Sequence, residues 1–437
     1  MPAPVPPAPA DGGPRKTLAV VYDEGAARPG DLAVGLADWA RCVFVAAPNE
    51  HTRAMQPLLA RFGPVVMAEA PGRAAAELRA HRPDALVTYS EAALGLATEL
   101  AAALGLPFHD RHVHGLLTDK WRQREALRVA GVDAVRCHRI ESAGDWEPAL
   151  AATGLPAVLK PAHGGGSRNT FPVDDAASGL ELVRRTLALE RPGLVAGGGL
   201  VLEEYLIGRD CGPFGDYVSV ESLVRGGEVT DLAVTGKFPM VPPFRETGRF
   251  WPSPLSAAEE AGVRDLARRA VEALGVREGL THTEVKLTPR GPRIIEVNGR
   301  LGGWINELAG RAQGCSLVEV AARVALGEAV APPPFYRGRV YFQLIHPAPR
   351  TPCRLLAVDG IEEVNRIPGV TLYRPYARLG APLPGGVQMR ELDVVTGEAD
   401  DMAGLAATAA KVDATLRYRF DFSGTECAVT GAELGTL

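Results

Sequence analysis

Between His282 and Arg300 the chain reads His-Thr-Glu-Val-Lys-Leu-Thr-Pro-Arg-Gly-Pro-Arg-Ile-Ile-Glu-Val-Asn-Gly-Arg, two runs of strand length around a turn rich in Pro and Gly. Strand alternation puts Glu284 and Lys286 on one face of the first run, and Glu296 and Asn298 on one face of the second. Paired strands then offer two carboxylates and an amide oxygen toward one point. Mg²⁺ takes oxygen ligands and reaches proteins through one or two carboxylates plus substrate phosphates. Glu284, Glu296 and Asn298 are therefore the candidate metal ligands. Arg300 follows two residues on, where a fixed guanidinium can neutralise an anionic transition state. The competing reading is a solvated hairpin on which Glu284 or Glu296 pairs with Lys286 or Arg293.

Three other segments carry chemistry of a matching kind. Lys160 ends an apolar run and is followed by Pro161-Ala-His163-Gly-Gly165-Gly166-Ser167. Glycines leave the loop's backbone N–H groups open, and such groups beside an ammonium can hold polyphosphate. A strand-ending Lys before an ordinary surface loop would look the same. Glu203 and Glu204 stand together at the end of a strand-like run, before Tyr205 and Leu206. One of two consecutive acids must face inward, where it could accept from a ribose hydroxyl or an adenine amine while the adjoining backbone pairs with the adenine edge. The plainer reading is a strand edge protected by charge. Lys120 falls in the first turn of its helix, where the helix dipole disfavours a cation unless an anion is near. Otherwise it is a solvated surface lysine.

Composition bounds the rest. The chain has 437 residues, a formal net charge of -5, 46% apolar and 23% charged residues. This is a soluble globular balance with room for two or three domains. No basic excess points to nucleic acid, and no apolar run approaches the ~18 residues of a membrane span. Residues 1–13 are rich in Pro and Ala and read as a disordered tail. The six cysteines are scattered without zinc-like spacing, which predicts reduced thiols and a cytoplasmic location. Neither a P-loop, a GxSxG elbow, a GxGxxG turn nor an HExxH helix is present.

The elements that must position these residues follow from periodicity. Strands at 16–22 and 84–89 alternate with helices at 70–80 and 91–104, which predicts an α/β layer over 16–117. Thr118 is expected to cap a helix ending at Ala130 and Gly131. Strands at 157–161, 169–173 and 200–206, with a helix at 176–189, make a lid-sized unit over 118–206. A hairpin of 216–224 and 228–235 turns at Gly226-Gly227. Ser256 and Glu259 form a capping box for the next helix. The unit 207–332 closes with the acidic hairpin, Pro332–Pro334 marks a linker, and 333–437 is strand-rich, with a helix at 402–415 and nothing that reads as chemistry. Residues 1–15 are the tail.

Taken in order, Lys120, Lys160, the Gly164–Ser167 loop, Glu203 and Glu204, and then Glu284, Glu296, Asn298 and Arg300 resemble the ATP-grasp superfamily of carboxylate–amine ligases, over about 16–330. The resemblance implies an α/β (α+β) fold with a Rossmann-like N-terminal domain, a small lid and a large catalytic subdomain. It implies ATP and Mg²⁺, or Mn²⁺ in its place, with Lys120, Lys160, His163, Gly165, Gly166, Ser167, Glu203, Glu204, Tyr205 and Leu206 around the nucleotide. A narrower likeness is to L-amino-acid ligases that make dipeptides. It rests on Asp216-Tyr-Val-Ser-Val-Glu221-Ser, Thr235-Gly-Lys237-Phe, Pro243-Phe-Arg-Glu246-Thr-Gly-Arg249 and Glu296-Val-Asn-Gly-Arg-Leu-Gly-Gly303-Trp304. Carnosine synthases share the wider pattern. This likeness places Glu246 near a substrate amino group, Arg300 on carboxylate and acyl phosphate, and Trp304, beside Gly303, at the wall that limits the first amino acid. Arg300, Lys160 and Glu246 are thereby the expected catalytic residues.

Many of these ligases carry His where this chain has Arg249. An Arg is a permanent cation and no base. Arg249 is expected either to receive a further anionic group of the substrate or to face solvent or pair with an acid such as Glu246. The implied reaction joins two amino acids, or amino-acid-like acid and amine, through an acyl phosphate with release of ADP and phosphate. The implied partners are small molecules, with neither nucleic acid nor membrane, and a homodimer is compatible. Three alternatives stay open: a specialised-metabolite amine as acceptor, carboxylation through carboxyphosphate as in biotin carboxylases, and a nucleotide-binding module without catalysis.

Overall fold

The computed structural model describes residues 15–189, 198–331 and 338–437. The expected tail, residue 15 apart, and the Pro332–Pro334 linker lie outside the described residues. The first layer is a parallel sheet in the order Val65–Met67, Ala40–Ala46, Lys16–Val21, Ala85–Thr88. Its two central strands are almost wholly apolar because helices cover both faces. Leu18, Val20 and Phe44 pack on one side, and Ala19, Val21, Val43 and Val45 on the other. The sequence reading names two of these four strands. The chain leaves Lys16–Val21 toward Ala40–Ala46 on one side and later returns to place Ala85–Thr88 on the other. This makes a crevice beyond their carboxyl ends, the usual ligand position in an open α/β sheet.

The second layer is an antiparallel sheet of Cys137–Ile140, Leu200–Glu204, Ala157–Pro161 and Phe171–Val173 in that order. Helices Trp146–Thr153 and Ala176–Leu189 pack on it. Their close approach requires Gly179, where a Cβ would stand 2.4 Å from the Trp146 ring. The third is an eight-stranded sheet in the order Gly291–Asn298, Glu278–Thr288, Tyr217–Arg225, Glu228–Lys237, Gly248–Trp251, Val340–Pro347, Glu391–Ala399, Val370–Pro375. Every neighbouring pair in it is antiparallel. Strands beyond residue 338 thus continue the sheet that carries the acidic hairpin. A last small sheet, with helix Met402–Thr415, closes the chain.

Local chemistry fixes the helices that matter. Ser256 and Glu259 form the expected box, and helix Ala257–Ala273 buries Val263, Leu266, Ala267, Ala270 and Val271. Each such Val or Leu contributes roughly 1.5–3 kcal/mol. The expected Thr118 cap is corrected. Thr118 ends helix Arg111–Thr118, its hydroxyl donating to the His114 carbonyl at 2.9 Å. Asp119 caps helix Lys120–Val129 instead, accepting from the Trp121 and Arg122 N–H groups at 3.0 and 3.1 Å. A carboxylate matches two orphan N–H groups of a helix start where the Thr hydroxyl finds a carbonyl behind it. All six cysteines are free thiols. Among the described residues no helix is long and apolar enough to cross a membrane.

Candidate active site

The first three sheets meet around one cavity of about 700 Å³. At one end, strand Ala157–Pro161 delivers Lys160 and helix Lys120–Val129 delivers Lys120 from its first position. Lys160 Nζ lies 2.9 Å from Glu203 Oε2. Arg124, which the sequence reading does not single out, forks onto both oxygens of Glu203 at 3.1 and 2.9 Å and donates to the Ile294 and Ile295 carbonyls. Burial pushes the Glu203 carboxyl up, but Arg124 and Lys160 outweigh it and bring it down to about 2. Glu203 is the inward acid, as expected of one of the pair. Its oxygens, though, are committed to holding two cations, not free for a ribose or an adenine. Glu204 also lines the cavity, but its carboxylate is taken by Arg136 at 2.7 Å and Arg293 at 3.3 Å.

Lys120 donates to the Gly164 carbonyl and stands 3.6 Å from Glu296. Burial lowers its affinity for the proton, but Glu296, Glu91 and Glu203 reverse that and hold it charged. The Gly-rich loop is tied at both sides, with Ser167 Oγ donating to the Phe244 carbonyl at 2.8 Å and Met389 N–H to the Gly166 carbonyl at 3.2 Å. Gly164 and Gly166 take φ values of 96° and 65°, a backbone that glycine adopts without strain. Burial keeps His163 neutral, its proton affinity lowered despite Asp119 at 3.9 Å. Its Nδ1 is buried without a hydrogen-bond partner among the described residues. Tyr205 and Leu206 line the same end.

The hairpin pairs Glu284 with Glu296 and His282 with Asn298 across two strands, with a bulge after Glu284. The acids therefore face the cavity together, and neither takes Lys286 or Arg293. Lys286 goes to Asp216 at 2.6 Å and Arg293 to Asp133 at 2.6 Å. His282 is wedged between Glu221, which it contacts through Nδ1, and Glu284 at 3.4 Å. Burial lowers its proton affinity, the two acids overcome this, and the affinity is raised above that of a free imidazole. Burial likewise raises Glu284, but the hydrogen bond and charge of His282 win and the carboxyl stays ionised. At Glu296 burial wins over Lys120, and the carboxyl is pushed up. Arg300 reaches Asn298 Oδ1 at 3.2 Å and Glu91 Oε2 at 3.3 Å. Glu91, in the crevice beyond Ala85–Thr88, is a site residue that sequence reasoning missed.

Among the described residues no three His, Cys, Asp or Glu side chains form a metal cage. Two carboxylates and an amide beside lysines are instead the set that Mg²⁺ takes when phosphate oxygens complete its shell. The donor set fits that cation, and the buried, unpartnered His163 Nδ1 fits a polar ligand under the loop.

Next to the acids, Glu246 accepts from Lys237 at 2.9 Å, Arg249 at 2.6 Å and the Tyr217 hydroxyl at 3.4 Å. Burial pushes its carboxyl up, yet Lys237 and Arg249 hold it well below the usual range. Of the two expectations for Arg249, the structure has the ion pair with Glu246. Its other amine group donates to the Gly303 carbonyl, and the side chain still lines the cavity. Trp304 starts helix Ile305–Gln313 at φ 65° and donates from Nε1 to Glu391 at 3.3 Å. Arg28, Arg374 and Glu391, from the two ends of the chain, also line the cavity, and nothing in the sequence marked them.

No family model matches the chain. A solved L-amino acid ligase from Bacillus licheniformis superposes with a TM-score of 0.76, covering 92% of this chain and 98% of that one at 22% identity. The chain has the ATP-grasp fold. Its α/β class agrees with the expectation. The alanine–anticapsin ligase of Bacillus subtilis (strain 168) is 28% identical over 232 residues, 51% of this chain and 49% of that protein. Carnosine synthase 1 of Mus musculus is 30% identical over 279 residues, 59% of this chain and 32% of that protein. The chain thus spans about half the length of the first of these curated relatives and a third of the second.

Proposed function

We propose that this chain is an ATP-dependent ligase that joins the carboxylate of one amino acid, or amino-acid-like acid, to the amine of another through an acyl phosphate. The observation that carries this is the convergence of Lys120, Lys160, Glu284, Glu296, Asn298 and Arg300 on one cavity, with the Glu246 cluster beside them. The relatives, one named an alanine–anticapsin ligase and one a carnosine synthase, support it. Lys120 and Lys160 hold the phosphates of ATP, and the Gly164–Ser167 loop covers them and keeps water out. Glu284, Glu296 and Asn298 would hold Mg²⁺, which when bound neutralises charge on the transferring phosphoryl group.

Glu246, ionised and fixed by two cations, receives the donor's ammonium, and Arg300 orients the donor carboxylate. A carboxylate oxygen attacks the γ-phosphorus, the bond to the β-phosphate oxygen breaks, and ADP leaves. The acceptor nitrogen then attacks the acyl carbon. Arg300 stabilises the tetrahedral oxyanion, the carbon–oxygen bond to phosphate breaks, and amide, phosphate and a proton result. On this reading 118–206 acts as lid and 207–332 carries the acids. The free thiols support a cytoplasmic setting. The test is phosphate release from Mg-ATP against single and paired amino acids, with ADP and AMP resolved and products weighed. ADP with a condensed product from one pair is expected, and AMP would overturn the mechanism.

A further inference from the structure

Beyond Trp304 the cavity wall is built from the two ends of the chain. Arg28 comes from the crevice past strand Lys16–Val21, and Arg374 from strand Val370–Pro375. The Arg28 guanidinium lies 4.1 Å from the centre of the Trp304 ring and 4.3 Å from that of Tyr376. Arg374 lies 5.6 Å from the same Tyr376 ring. Several other cations of the cavity are held by an acid within 3.3 Å, Lys160 by Glu203, Lys237 and Arg249 by Glu246, Lys286 by Asp216 and Arg300 by Glu91, and Lys120 stands 3.6 Å from Glu296. Among the described residues, Arg28 and Arg374 have no carboxylate within ion-pair distance. The nearest acids are turned to other tasks. Asp31 accepts from the Arg28 backbone N–H at 2.9 Å, and Glu391 accepts from Trp304 Nε1 at 3.3 Å.

Two like charges brought to one ring repel, and aromatic faces only partly compensate a guanidinium's lost water. Two guanidinium groups at one ring, neither with a carboxylate partner among the described residues, can receive an anion from solution. A guanidinium pinned between two rings is a rigid fork, suited to planar, two-point recognition of a carboxylate. Its position assigns the owner. The donor's carboxylate is consumed at Arg300 and its ammonium is matched by Glu246. A second carboxylate, held at the Trp304 and Tyr376 rings, would then belong to the other substrate.

We propose that Arg28 and Arg374 form the subsite for the acceptor's carboxylate, so that the acceptor is an amino acid with a free carboxyl group and not a simple amine. This rests on the ligase reading given above. The test uses the full chain, the acceptor found by product mass, and the carboxamide of that acceptor. Wild type is expected to favour the free acid about 100-fold in kcat/KM. In R28Q and in R374Q the preference falls at least tenfold, through a higher KM for the acid acceptor. R374Q keeps the test sound if R28Q loosens the stacked rings, because Arg374 is exposed. Equal use of acid and carboxamide by wild type, or an unchanged preference in folded R28Q and R374Q, would overturn the subsite. Hydroxylamine trapping with donor alone separates the two ideas. Hydroxamate formed by wild type keeps the ligase reading while the subsite stands or falls on the preference, and none formed overturns both.

Discussion

Two histidines of this molecule are buried between carboxylates, and they do different work. His282 sits between Glu221 and Glu284. His346 sits between Asp393 at 2.6 Å and Asp413 at 3.1 Å. At both, burial disfavours the proton and the flanking acids overcome it, to about 10 at His346. The difference is in the acids. Asp393 also accepts from the Tyr373 and Tyr418 hydroxyls at 3.1 and 2.8 Å, so its capacity is used inside the core of the C-terminal unit. Glu284 has His282 for a partner and otherwise faces the cavity, opposite Glu296. A polar cluster satisfied within itself acts on stability. One that leaves an acid turned to a cavity acts on what enters it.

Substitution on the two sides should therefore split cleanly. Glu296→Ala is expected to lower ADP formation by at least 10²–10³-fold, with a melting temperature no lower than wild type, because burial already disfavours that carboxylate. Turnover near wild type in the folded variant would remove Glu296 from the site. Asp393→Ala strips His346 and two tyrosines of their shared acceptor. Breaking a buried pair from one side costs about 3–5 kcal/mol, so denaturant melts should show a loss of that order while turnover per folded molecule stays the same. A drop in turnover without a drop in stability would erase the contrast between the two histidines.

The cavity side was the more legible in sequence, because its marks are local. Period-two alternation brings Glu284 against Glu296 and His282 against Asn298, and an apolar run followed by Gly164-Gly165-Gly166 marks Lys160. What stayed hidden is whatever depends on distant pairing. Arg124 belongs to a helix crowded with basic residues, and only its spacing of four from Lys120 hints that both face one way. Glu91 meets Arg300 across 209 positions of chain. Strand Gly248–Trp251 pairs with Val340–Pro347, and that contact carries the chain beyond residue 338 into the central sheet and Arg374 to the cavity. Glu203 was legible as inward, but its true partners, Arg124 and Lys160, arrive from two other elements. Asp119 took the cap from Thr118 on a choice between adjacent residues that composition alone does not make.

The pH dependence sharpens the comparison furthest, because it separates charge from packing. The folded-state proton affinity of His346 is raised from the ordinary 6.5 to about 10. A group raised on folding binds its proton more tightly in the native state, so its contribution is fully present below pH 6.5 and is lost as pH climbs through 10. Unfolding free energy measured by urea between pH 6 and 10 should fall progressively across that window. In Asp393→Ala the fall should flatten, since the main source of the raised affinity is gone. Asp413, partly exposed at 34%, leaves a residual slope that salt weakens. In Glu221→Gln, which strips the equivalent acid from His282, only the share of the fall that His282 contributes should be lost, and the slope that His346 sets toward pH 10 should remain. If the slope between pH 6.5 and 10 followed Glu221 and not Asp393, the stabilising cluster would be the one beneath the cavity.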